Sequence, residues 1–165
     1  MSVSVAASAA VITVSSSRAH GAGGADESGA RLAELARRLV AGDVQRELVG
    51  DERAEIERSL RRWAGAEGCA LVLTTGGTGL ALADVTPEAT RAVIDREAPG
   101  IAEAMRLASR EHTEHWMLSR GIAGTAGSTL IVNFPGSPRG IEQIGAAIER
   151  PLRHALELLA GRRPH

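Results

Sequence analysis

The chain has 165 residues, a formal net charge of −1, 44% hydrophobic and 24% charged residues, proportions of an ordinary folded globular protein rather than a disordered one. All nineteen basic residues are Arg against twenty acidic ones, so the basic excess that a nucleic-acid or anionic-membrane surface needs is missing. Two Trp, one Phe and no Tyr leave little to stack bases on, and the lone Cys69 cannot close an internal disulfide, which is compatible with a reducing cytoplasm.

Met1 to Val14 is apolar but lacks the positively charged start of a signal peptide and is too short to span a bilayer. Val11 to Val14 is expected to be a first buried strand, and Ser15 to Gly24 a small, polar, Gly-rich loop. Leu32, Leu35, Ala36, Leu39 and Val40 recur at i, i+3, i+4, i+7 and i+8, one apolar face of a helix. Gly42 stops it, and Val44 to Val49 is a second strand. Asp51 then stands where a helix N-cap belongs, ahead of Ile56, Leu60 and Trp63 on one face. Cys69 to Leu73 is a continuous apolar run, expected of a central strand covered on both faces.

Thr86 is expected to cap a helix with Pro87 at its first position, running to about Glu97; a further helix carries Ile101, Met105 and Ala108. Met117 to Gly121 is a short strand or turn, and Thr129 to Phe134 another buried strand. The last helix begins at Pro138 with Ser137 as cap and carries Ile141, Ile144, Ile148, Leu152, Leu156 and Leu159, kinked or divided at Pro151. Alternating strands and helices predict a three-layer α/β/α fold with a mostly parallel central sheet, one domain over residues 1–160 and a flexible basic tail over 161–165.

Ligands of open parallel sheets sit beyond the carboxyl ends of the strands. Five features map there: Ser15 to Ser17, Asp51, Gly76-Gly77-Thr78-Gly79 with Asp84, Ser119-Arg120, and Asn133 to Arg139. The Gly-rich string suits either a tight turn or a backbone cradle for phosphate, and it fits neither the Walker A nor the dinucleotide pattern. Asp51 and Asp84 are each a cap or turn residue, or together a pair of carboxylates that would hold Mg²⁺ beside substrate phosphates. Ser137-Pro138 opens a helix N-terminus suited to an anion, with Arg139 adding a fork of donors, or is only a well-made strand-to-helix connection. His112-Thr113-Glu114-His115 lacks the zincin spacing and is better taken as a solvated helix end.

Taken together, Leu73-Thr74-Thr75-Gly76-Gly77-Thr78-Gly79, Asp84-Val85-Thr86-Pro87-Glu88-Ala89-Thr90, Asp95-Arg96-Glu97, Pro99-Gly100, Leu118-Ser119-Arg120-Gly121 and Asn133-Phe134-Pro135-Gly136-Ser137-Pro138 resemble the MogA/MoaB family of molybdenum-cofactor biosynthesis. Within it, the molybdopterin adenylyltransferases are the nearest group. The resemblance covers nearly the whole chain. It implies that family's α/β fold, a homotrimer, and transfer of AMP from Mg-ATP to the molybdopterin phosphate with release of pyrophosphate. It implies Asp51 and Asp84 as the catalytic and Mg²⁺-holding pair. Its binding residues fall on Ser15, Ser17, Thr75, Gly76, Gly77, Thr78, Gly79, Ser119, Arg120, Asn133, Pro135, Gly136 and Ser137, with Ser119 on the pterin side. It also implies hand-off of the product to a molybdenum insertase. One departure stands out: many members carry Asp after the first strand, where this chain has Ser15-Ser16-Ser17.

Two other readings compete. A MoaB-like protein would bind molybdopterin with little or no adenylyl transfer. A molybdenum-insertion domain is a third possibility, since related domains occur in insertases, typically inside longer multidomain chains.

Overall fold

The computed structural model describes residues 7–162; Met1 to Ala6 and most of the expected basic tail lie outside the described residues. Six strands form one sheet: β1 (Ala9–Val14), β2 (Val44–Val49), β3 (Leu71–Thr75), β4 (Arg96–Glu97), β5 (Ala123–Ala126) and β6 (Thr129–Phe134). Their spatial order is β2-β1-β3-β6-β5-β4. The four strands from β2 to β6 run parallel, while β5 and β4 are antiparallel additions at one edge.

Helices α1 (Ser16–Ala19), α2 (Glu27–Leu39), α3 (Arg53–Arg61), α4 (Thr86–Arg91), α5 (Pro99–Arg110) and α6 (Pro138–Leu159) fill the connections. Every residue of β1, β3 and β6 is buried, as parallel strands covered on both faces require. Val11, Leu73 and Val132 point to one layer with Leu32, Leu35, Met105, Ile144 and Leu152, on α2, α5 and α6. Ala10, Ile12, Val72 and Ile131 point to the other, with Ile56, Leu60 and Ala89, on α3 and α4. The expected three layers are therefore present. No helix among the described residues is long and apolar enough to cross a membrane.

Local departures from the sequence expectations have physical causes. The helix expected from Thr86 to Glu97 stops at Arg91, and Arg96–Glu97 pairs instead with β5 as an edge strand. Asp95 anchors that turn by accepting from the Gly127 N–H at 2.7 Å and the Thr125 hydroxyl at 3.1 Å. Strand β5, Ala-Gly-Thr-Ala, carries no β-branched run to announce it; pairing with β6 and β4 makes it a strand. Helix α6 remains one helix through Pro151. The lost backbone bond is offset by Ile148, Leu152 and Leu156, all buried against the sheet on either side of it. Of the strand or turn expected from Met117, a turn forms: Met117 and Leu118 end a 3₁₀ turn (Glu114–Leu118).

Candidate functional site

Because β2, β1, β3 and β6 run parallel, the segments leaving them converge at one edge. Ser15 to Ser17 follow β1, Asp51 follows β2, Gly76 to Gly79 follow β3, and Pro135 to Ser137 follow β6.

The Gly-rich loop is the most tightly determined part. Gly76 and Gly77 have φ of +94° and +66°, a region L side chains avoid. A Cβ on Gly76 would also lie 2.5 Å from the Val14 carbonyl oxygen, and one on Gly77 would strike the Thr86 hydroxyl. All four carbonyls of the loop are turned onto donors of the protein itself. Gly76 O accepts from the Thr86 hydroxyl at 2.9 Å and Gly77 O from the Thr86 N–H at 3.1 Å. Thr78 O accepts from the Arg120 N–H at 2.9 Å, and Gly79 O from Arg120 Nε at 2.7 Å. None of the hydrogen bonds among the described residues uses the N–H groups of Gly77, Thr78 or Gly79. A run of amides left free by inward-turned carbonyls is the construction of an anion nest. Thr86 therefore does not cap α4, as its spacing suggested; its hydroxyl fastens the loop.

Asp84 lies against this loop. Its Oδ2 accepts from the Ala81 N–H at 3.0 Å and would be 2.8 Å from a Cβ on Gly79. Asp51 is the other carboxylate of the edge, and it does not cap α3, whose N-cap is Glu52 with no side-chain bond. Instead Asp51 Oδ2 accepts from the Ser16 N–H at 2.9 Å, while the Asp51 N–H donates to Ser16 Oγ at 2.8 Å. This reciprocal pair ties the loop after β1 to the loop after β2. Each aspartate commits one oxygen to the backbone and keeps the other. A carboxylate with a free oxygen suits Mg²⁺, which takes one or two carboxylates and fills its remaining positions with water and substrate phosphates. Among the described residues no group of three or more His, Cys, Asp or Glu gathers as a metal cage.

The remaining expected residues divide. Ser15 and Ser17 are hydroxyl neighbours at 3.2 Å, and Ser15 also caps α1. The Pro135-Gly136 turn is held from below: Thr75 Oγ1 donates to Pro135 O at 2.8 Å and Ser28 Oγ to Gly136 O at 2.6 Å. Ser137 caps α6 by accepting from the Gly140 N–H at 3.3 Å. Asn133 sits beneath the edge rather than on it. It is 1% exposed, accepts from the Ile122 N–H, and donates to the hydroxyls of Thr74 and Thr90. Thr75 and Thr78 are likewise buried. Burial pushes the Cys69 thiol up, away from reactivity.

Beside the loop opens a cavity of about 360 Å³ between α5, the 3₁₀ turn and the start of α6. Ser119, Pro135 and Ser137, all expected binding residues, line it, with Met105, Arg106, His112, Trp116, Arg139 and Gly140 among the others. His112 and His115 are exposed, as a solvated helix end predicts, and they also lie along the rim of this hollow. A signal for this wall existed. Ile101, Met105, Ser109 and His112 continue one helical face at i, i+4, i+8 and i+11, and the stripe turns polar where α5 leaves the core. No acidic side chain lines the cavity, whereas two Arg and two His do, so its field favours an anion.

A doubly covered parallel sheet whose carboxyl edge carries a Gly-rich loop with free amides, two aspartates and a cavity lined by two Arg is the layout of a ligand-binding α/β domain. A family model described as a probable molybdopterin-binding domain matches residues 10–154, and the chain belongs to that family. It is 42% identical over 115 residues to the molybdopterin adenylyltransferase of Helicobacter pylori J99, covering 70% of this chain and 65% of the relative. It is 45% identical over 101 residues to the Escherichia coli K12 protein of the same name, covering 61% of this chain and 52% of the relative. The matched segment thus spans less than two thirds of these curated relatives. Among solved structures, the molybdopterin biosynthesis enzyme MoaB of Thermus thermophilus superposes with TM-score 0.83 and 44% identity, covering 94% of this chain and 98% of that one. The Mog protein of Mycobacterium ulcerans superposes with TM-score 0.86 and 37% identity, covering 96% and 100%.

Proposed function

We propose that this chain is a molybdopterin adenylyltransferase, moving AMP from ATP to the terminal phosphate of molybdopterin. The observation that carries the reading is the Gly76–Gly79 nest with Asp84 pinned against it: free amides for phosphate oxygens and a carboxylate for their counter-ion in one loop. The names of the Helicobacter and Escherichia relatives supply the substrate class.

In the reaction, an oxygen of the molybdopterin phosphate attacks the α-phosphorus of ATP, and the bond from that phosphorus to the bridging oxygen of pyrophosphate breaks. The attacking oxygen is already ionised near neutrality, so no strong general base is required. The obstacle is the approach of two anions, and the catalytic contribution is positioning plus charge neutralisation. Asp51 and Asp84 would hold Mg²⁺, which supplies part of that neutralisation when bound. The amides of Gly77, Thr78 and Gly79 bind phosphoryl oxygens. The cavity beside Ser119, with Arg106 and Arg139 on its walls, receives the phosphorylated pterin and orients it toward the loop.

The family resemblance carries the rest of the proposal: a cytoplasmic homotrimer that passes its product to a molybdenum insertase. Exposed Leu80 and Leu82 offer apolar surface for contacts between copies.

The test is to incubate the protein with molybdopterin, ATP and Mg²⁺ and to follow adenylylated pterin and pyrophosphate. The expected result is product that needs Mg²⁺ and falls by about 10²-fold or more in Asp84→Asn with the fold intact. Molybdopterin binding without product would establish a binding protein instead. Full activity in Asp84→Asn would remove that carboxylate from the metal-holding pair.

A further inference from the structure

We propose that Arg120 is a positioning residue, which holds the Gly-rich loop and Asp84 in register with the cavity instead of binding a substrate phosphate. This inference deepens the adenylyltransferase reading and rests on it for the kinetic part of its test.

Arg120 is the point where the two halves of the site meet. Its neighbour Ser119 lines the cavity, while its own groups all turn the other way. The Arg120 N–H donates to Thr78 O at 2.9 Å, Nε to Gly79 O at 2.7 Å, and Nη2 to Asp84 O at 2.6 Å. Nη1 donates to the Glu88 carboxylate on α4. Four bonds from one residue therefore span the whole loop from the nest to the carboxylate-bearing peptide. They account for two of the four inward-turned carbonyls on which the free amides depend.

Charge argues the same way. A guanidinium that serves a substrate phosphate keeps its fork toward the ligand. Here the fork is occupied by Asp84 and Glu88. The Arg120 bond in turn holds the Glu88 carboxyl below the ordinary glutamate range, with burial opposing it. A substrate phosphate that recruited Arg120 would have to take it from Glu88 and release the Gly79 and Asp84 carbonyls together. A planar fork meets three acceptors in fixed directions, and a lysine ammonium has no such geometry. Displacement of Asp84 by about 1 Å is enough to cost on the order of 10²-fold in rate.

The experiment compares wild type, Arg120→Lys and Glu88→Gln as full chains, by amide hydrogen exchange without substrate and by AMP-transfer kinetics across a Mg²⁺ titration. Arg120→Lys is expected to speed exchange of the hydrogen-bonded amides of Ala81, Asp84 and Thr86 by about tenfold or more. It should also raise the Mg²⁺ concentration for half-maximal rate and lower kcat more than it raises KM for ATP. Glu88→Gln should shift both readouts in the same direction by less, and the double variant should be no worse than Arg120→Lys alone. Unchanged exchange in Arg120→Lys would overturn the proposal. So would a Glu88→Gln variant that binds ATP more tightly than wild type, since freeing Arg120 would then have produced a better ligand. A wild-type protein that makes no product would sink the adenylyltransferase reading, while the exchange comparison would still decide whether Arg120 sets the loop.

Discussion

The two halves of the site are built on opposite plans. In the loop half, the carbonyls of Gly76 to Gly79 and the Arg120 guanidinium are committed to partners within the protein, while the amides of Gly77 to Gly79 and one oxygen of Asp84 stay free. In the cavity half, between α5 and α6, side chains face the hollow, and Arg139 and His112 on its walls are exposed. On the proposed reading, the loop half is preorganised for a feature every nucleotide shares, the phosphate chain. On the same reading, the cavity half presents side chains to the larger molecule that must be told from others. Preorganised dipoles suit the step where charge is moved, because they need no rearrangement as it proceeds.

Glycine substitutions separate the halves most sharply. Gly76→Ala places a Cβ at positive φ and 2.5 Å from a backbone oxygen, so nothing flexible can yield. The expected loss is about 2–4 kcal/mol in urea unfolding, with activity abolished. Gly140→Ala, at the rim of the cavity, meets only Pro135 and Ser137 atoms at 3.5 Å or more. It should be neutral or stabilise by about 0.5 kcal/mol, because Ala favours the first turn of α6. Comparable losses from both would erase the contrast between the halves.

Between these extremes stands Arg139→Ala. Removal of an exposed cavity cation should weaken binding of the phosphorylated pterin by about tenfold, more at low salt than at high. It should leave kcat nearly unchanged, since the loop half stays intact. Titration calorimetry at two ionic strengths checks it; an equal fall in kcat would move Arg139 into the loop half's work.

The smallest expected effect is a pH dependence. The folded Glu88 carboxyl is held below its ordinary value of 4.5 by Arg120. Its contribution to stability is therefore complete above that value and is lost as pH falls through the lowered folded value. More than a third of the side chain is exposed, so the effect is modest and salt-sensitive. Unfolding curves of wild type and Glu88→Gln should converge as the pH is taken progressively below 4.5; curves that stay parallel would deny the Glu88–Arg120 link any part in holding the loop.

How much of this was legible beforehand follows from the range of the interactions concerned. The α2 stripe from Leu32 to Leu39, β2 and β6 with their stated bounds, and the Ser137-Pro138 start of α6 were readable because periodicity and capping are local. The convergence of Asp51, Gly76–Gly79 and Pro135–Ser137 at one edge was also readable, because parallel strands send their exits the same way. Asp51 and Thr86 were less transparent. Both occupy cap positions by spacing, yet both bond to another loop, Asp51 to Ser16 and Thr86 to Gly76, at sequence separations that no local rule covers. Asn133 likewise stands at a strand end in sequence and turns out to be a buried tie between Thr74 and Thr90.

The sequence by itself determined the alternation of elements, the parallel core and the glycines at the nest, because each depends on the backbone preferences and apolar spacing of a few adjacent residues. Only the tertiary structure decided which partners the polar side chains take. A carboxylate or guanidinium looks the same in a string whether it faces a ligand or a carbonyl forty residues away. For Arg120, packing of the Ser119–Arg120 segment against the loop from Thr78 to Asp84 made that choice.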